Sequence, residues 1–84
     1  MKYLAEIDVM PLKALLDPQG KAVTQSMHNI GYRSVLNVRI GKHISLEIFA
    51  DNKEKAKEKV KEACEKILSN PIMESFEFNI TEIE

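Results

Sequence analysis

The sequence predicts a small α+β fold built on an antiparallel sheet, and three observations carry that prediction. Apolar and polar side chains alternate, as in half-buried strands, over residues 2–9, 35–40, 43–50 and around Phe76 to Ile80. Apolar residues recur at helical spacing over residues 21–30 and again in the stretch that follows Asn52. Gly31, Gly41 and Pro71 stand at the joints between these stretches. The resulting order, β-α-β-β-α-β, most often folds as an antiparallel sheet with both helices on one face, in the ferredoxin-like manner.

In the first strand Tyr3, Ala5, Ile7 and Val9 share one side, and Lys2, Leu4, Glu6 and Asp8 the other. The connection Met10 to Leu16 carries Pro11 and the pair Leu15-Leu16, more hydrophobic than an idle loop needs, so it is expected to pack against something. Asp17 suits a helix N-cap, and Pro18 suits the first helical position, where its missing N–H costs nothing. Gly20 fits a first turn less well. It marks either close approach of another backbone or a type I turn, Asp17-Pro18-Gln19-Gly20, with the helix starting later. Ala22, Val23, Met27 and Ile30 form the apolar side of that helix, and Gly31 is placed to end it in the left-handed conformation.

Gly41-Lys42 resembles a two-residue hairpin turn, but that register would set Ile40 opposite His43 and Val38 opposite Ser45. A three-residue corner, Gly41-Lys42-His43, instead pairs Ile40 with Ile44, Val38 with Leu46 and Leu36 with Ile48, so a three-residue loop or bulge is expected. Asp51 or Asn52 caps the second helix, whose apolar stripe is Ala56, Val60, Ala63, Cys64, Ile67 and Leu68. Glu62 to Lys66 and Lys61 to Glu65 are opposite-charge pairs at helical spacing, each worth ~0.3 kcal/mol on an exposed face. The helix is expected to stop near Asn70-Pro71. Phe76, Phe78 and Ile80 define the last strand, and Thr81-Glu82-Ile83-Glu84 is read as a fraying end. On the sheet's open face Leu4, Val35 and Phe49 lie among Glu6, Asn37, Arg39, Ser45, Glu47, Glu77 and Asn79. Such an apolar minority suits a dimer interface or is ordinary surface scatter.

With 84 residues, the chain is expected to form one domain, 1–84, near the size at which one core barely suffices, so association with other subunits is expected. A net charge of -1 provides no broad field for nucleic acid or an anionic membrane. No apolar run approaches a bilayer span and the amino terminus breaks into charge early, so a cytoplasmic location is expected. Cys64, the single cysteine, excludes an internal disulfide and paired-cysteine metal motifs.

No catalytic or metal site is expected. The three glycines are too dispersed for a phosphate loop. His28 and His43 lack a metal-ligand spacing or a companion nucleophile and read as surface or partly packed side chains. Cys64, inside an apolar stripe, reads as a small buried hydrophobe. The Lys/Glu run from Lys53 to Lys66 is a solvated helix face. An RNA platform would need exposed aromatics with basic neighbours, and Phe49 alone among acids does not provide one.

Leu16-Asp17-Pro18-Gln19-Gly20-Lys21-Ala22-Val23, Ile30-Gly31-Tyr32, Asn37-Val38-Arg39-Ile40-Gly41-Lys42 and Ser69-Asn70-Pro71-Ile72 closely resemble the PurS family, the small subunit of phosphoribosylformylglycinamidine (FGAM) synthase. The likeness runs through nearly the whole chain. It implies an accessory subunit in purine biosynthesis that bridges an ATP-dependent synthetase subunit (PurL) and a glutaminase subunit (PurQ). Such a complex converts formylglycinamide ribonucleotide, ATP, glutamine and water to FGAM, ADP, phosphate and glutamate, and the small subunit helps ammonia pass between active sites. The resemblance also implies a homodimer or tetramer, no cofactor bound by this subunit, and ATP and Mg used by the complex. On this basis Asp17, Gln19, Gly20 and Lys21 are read as one docking element, and Arg39, Gly41 and Lys42 as another. The structural alternative is capping for Asp17, backbone geometry for Gly20 and Gly41, and solvent for the lysines. A free-standing ferredoxin-like domain that binds a small effector is the alternative from another class, and an RNA-binding module a third.

Overall fold

The computed structural model describes residues 1–13 and 15–83. The chain runs β1 (Lys2–Pro11), α1 (Pro18–Asn29), β2 (Lys42–Phe49), α2 (Lys53–Ala63) and β3 (Glu74–Glu82), with Cys64–Leu68 extending α2 as a wider π-helical turn. The three strands form one antiparallel sheet in the order β2-β1-β3. Its register sets Ile7 between Ile44 and Phe78, and Ala5 between Leu46 and Ile80. Alternation therefore places all the expected apolar positions of the three strands on one face.

That face is covered by α2. Tyr3, Ala5, Ile7, Val9 and Ile80 from the sheet meet Ala56, Val60 and Cys64 in the core, with Ile44, Leu46, Ile48, Phe76, Phe78 and Leu68 packed around them. Asn52 caps α2 by accepting the Lys55 N–H, and the Lys66 ammonium reaches Glu62 at 2.7 Å. The π turn closes through Ser69 N–H to the Cys64 carbonyl, at 3.0 Å. Within it Ile67, expected to be buried, is 80% exposed, while Leu68 still packs on the core. A wider turn rotates each later side chain relative to an α-helical projection.

The antiparallel α+β plan with two helices is present, but the hairpin is not. Residues 35–40 form no ladder with β2, and β1 alone supplies the inner edge on which β2 pairs. Both registers considered for Gly41-Lys42 therefore fall away. Nor does α1 enter the core beside α2, since none of its residues belongs to the buried cluster. The loop residues Leu15 and Leu16 also stay out of it, at 41% and 74% exposed. The end of the chain is paired rather than frayed as far as Ile83, whose N–H donates to the Lys2 carbonyl; Glu84 lies outside the described residues.

Candidate partner-docking site

What holds α1 in place is hydrogen bonding to residues 35–40. Asp17 caps the helix, with Oδ1 accepting the Gly20 N–H at 3.1 Å, while Oδ2 accepts the Ile40 N–H at 2.9 Å. One turn on, the Thr24 hydroxyl donates to the Gly20 carbonyl at 2.8 Å and accepts the Val38 N–H at 2.9 Å. A further turn on, His28 Nε2 lies 2.6 Å from the Val35 carbonyl, to which its N–H donates. Asp17, Gly20, Thr24 and His28 are spaced three, four and four residues apart, so they line one face of the helix. The face of α1 turned toward the chain is thus polar, and it straps a strand-like segment that lacks a sheet of its own.

Gly20 is required by this contact. A Cβ there would lie 2.1 Å from the Val38 carbonyl oxygen, so the segment passes directly over the glycine. The helix starts at Pro18, as the cap predicts, and close approach rather than a delayed start accounts for the glycine. At the other end the Tyr32 N–H reaches the Met27 carbonyl and the Gly31 N–H the His28 carbonyl. With Gly31 at φ 101°, this is a Schellman cap. Gly41 is constrained in the same way as Gly20, because a Cβ would lie 2.3 Å from the Val9 carbonyl oxygen.

The structure brings four of the seven expected docking residues together. Asp17, Lys21 and Arg39 line one groove of about 490 Å³ beside the strap, and Gly20 lies against the backbone of Val38, another residue of that lining. The Arg39 guanidinium donates to the Pro11 carbonyl, tying residues 35–40 to the end of β1. Gln19 lines a second cavity of about 420 Å³ that adjoins the groove at Asp17 and is shared with Ile40, Asn70 and Met73. Lys42 is exposed at the start of β2 and Gly41 packs against β1, so these two stand apart from the groove. Thr24 and His28 were missed as members of the site; the signal that could have found them is the successive four-residue spacing Gly20, Thr24, His28. The two hydrogen bonds to Asp17, from Ile40 first and Gly20 second, hold its carboxyl below the usual carboxylate range, with Arg39 adding to the effect.

On the open face of the sheet His43 and Asp8 are cross-strand partners, Nδ1 to Oδ1 at 2.7 Å. Cys64 is buried, and burial pushes its thiol upward, as expected of a packed rather than an activated cysteine. Among the described residues no group of three or more His, Cys, Asp or Glu side chains is placed to hold a metal ion, and no helix is long and apolar enough to cross a membrane.

Fold and site together describe a small α+β chain whose most elaborate feature is a strapped helix beside an open groove, the form of an assembly component. The model of the PurS family, described as phosphoribosylformylglycinamidine (FGAM) synthase, matches residues 4–82. A PurS subunit of that synthase from Thermotoga maritima is 42% identical over 71 residues, covering 84% of this chain and 87% of the relative. The Bacillus subtilis subunit is 36% identical over 81 residues, covering 96% and 95%. A chain in the structure of PurLQS from Thermotoga maritima superposes with a TM-score of 0.87 at 37% identity, covering 96% of this chain and 99% of that one. The chain belongs to the PurS family.

Proposed function

We propose that this chain serves as the accessory subunit of a phosphoribosylformylglycinamidine synthase in purine biosynthesis, bridging the synthetase subunit PurL and the glutaminase subunit PurQ and assisting ammonia transfer between them. The observation that carries this reading is the full-length match to a chain of PurLQS from Thermotoga maritima. In this role the chain has no active site of its own. ATP and Mg are used by the complex, which works in the cytoplasm and acts on formylglycinamide ribonucleotide with glutamine as the nitrogen donor. The chain works as a single domain, 1–84, and self-associates to a dimer or tetramer.

Asp17, Gln19, Gly20 and Lys21, with Arg39, Gly41 and Lys42, are proposed as the docking residues. Supporting this, one carboxylate, Asp17, links both groups by bonding Gly20 and Ile40 at once. The test is formation of FGAM by the cognate synthetase and glutaminase subunits with and without this chain, supplied with glutamine or with ammonia. A requirement for the chain with glutamine and little requirement with ammonia is the expected result. Full glutamine-dependent activity without the chain rejects the bridging role.

A further inference from the structure

The core does not depend on α1 or on the segment it straps. The buried cluster is drawn from β1, β3 and α2 with its π turn, whereas Gly20 is the one buried residue of α1 and none of residues 31–40 is buried. Among the described residues, the single hydrogen bond from either half of this pair to the sheet runs from the Arg39 guanidinium to the Pro11 carbonyl. Within the pair, each half needs the other. A helix of twelve residues is marginal in water by itself, and an extended segment without a ladder must place its Val38 and Ile40 N–H groups on some acceptor. Asp17, Thr24 and His28 supply the latch at successive turns of the helix. On either side the chain is fixed to the sheet, by the Leu12 N–H on the Met73 carbonyl at 2.9 Å before the helix and by Gly41 against the Val9 carbonyl after the strap.

We infer that α1 and residues 31–40 open and close as one arm, latched by Asp17, Thr24 and His28, while the sheet and α2 stay folded. Releasing the latch leaves a short helix without its partner and a segment without its acceptors, so both lose order together. The core loses nothing by it, because neither half contributes a side chain to the buried cluster. The groove exists only in the closed form, since α1 lines one side of it and residues 36–39 the other. Opening therefore separates Asp17, Gly20 and Lys21 from Arg39. That last consequence rests on the docking role proposed above; the opening itself does not, and its test needs no partner subunit, so the two can fail separately.

The test is amide hydrogen exchange read by NMR on the full chain, in low urea and at two protein concentrations, for wild type, Thr24→Val and Asp17→Ala. In wild type the amides of Thr24 and His28 in the helix and those of Val38 and Ile40 in the strap are expected to share one urea dependence, shallower than that of Ala5 and Ile7 in β1, and to exchange faster than those two. Thr24→Val removes the acceptor of the Val38 N–H, and Asp17→Ala removes that of the Ile40 N–H together with the helix cap. Each is expected to speed exchange about tenfold at all four arm amides and to leave Ala5 and Ile7 within about twofold of wild type. Acceleration confined to Val38 or Ile40, with the helix amides unmoved, overturns the single unit. Equal acceleration of Ala5 and Ile7, or arm amides as slow as these in wild type, shows that the arm opens only with the core and overturns its independence. Arm protection that rises with protein concentration overturns the internal latch, because a second copy would then be holding the arm closed.

Discussion

Asp17 shows how much one residue's role can be read in advance. Its capping of α1 follows from its type and from Pro18 behind it, and the structure bears this out. Its second bond, to Ile40, was not legible, because a carboxylate's partner 23 residues away depends on a chain path that local pattern does not encode. Since that carboxyl is held below its usual range, its contribution is present above the unfolded carboxylate value and is lost as pH falls through the folded one. His43 behaves in the opposite sense. The hydrogen bond that its ring N–H donates to Asp8, followed by the charges of Asp8 and Glu6, raises the imidazole. The pair's stabilising effect is therefore complete below the unfolded histidine value and fades as pH rises through the folded one. An NMR titration should place His43 above an unfolded control, and Asp8→Asn should bring it down; no movement in that variant would mean that the pair does not form in solution.

At the scale of elements, strands and helices were legible wherever a face is buried. β1, α2 and β3 each show their period because the core selects it. Residues 35–40 alternate just as clearly, yet the segment has no ladder, and its N–H groups at Val38 and Ile40 go to side chains of the first helix turns instead. Alternation gave the spacing of the side chains and was silent on the hydrogen-bonding partner. The same limit applies to α1, whose Ala22 and Ile30 look like core positions and are exposed. Gly20→Ala tests this packing directly. The added methyl collides with the Val38 backbone, which cannot swing aside as a flexible side chain could. A loss of ~1–3 kcal/mol in urea unfolding is expected, with loss of hydrogen-exchange protection at the Val38 and Ile40 amides. A variant as stable as wild type with those amides still protected would show that the strap sits further from the helix.

For the whole molecule, class and size were legible, and the uneven distribution of packing was not. One helix and three strands hold the core, while α1 and its strap project from it, giving extents of 51 × 26 × 14 Å. Large apolar side chains such as Leu36, Phe49, Ile67 and Ile72 remain bare across this form, more than a chain this small gains by leaving them in water. A compact chain of this length would have a radius of gyration of about 12 Å, whereas the Cα value here is 16.5 Å. Small-angle scattering on a dilute sample verified as monomeric by light scattering should give a radius near the larger figure, and a value near the smaller one would mean that α1 folds back onto the sheet. The flattened outline has a practical consequence for anyone counting subunits. A thin plate tumbles and migrates like a heavier sphere, so an elution volume by itself would overstate the number of copies in any assembly of this chain, and stoichiometry has to be weighed rather than sized.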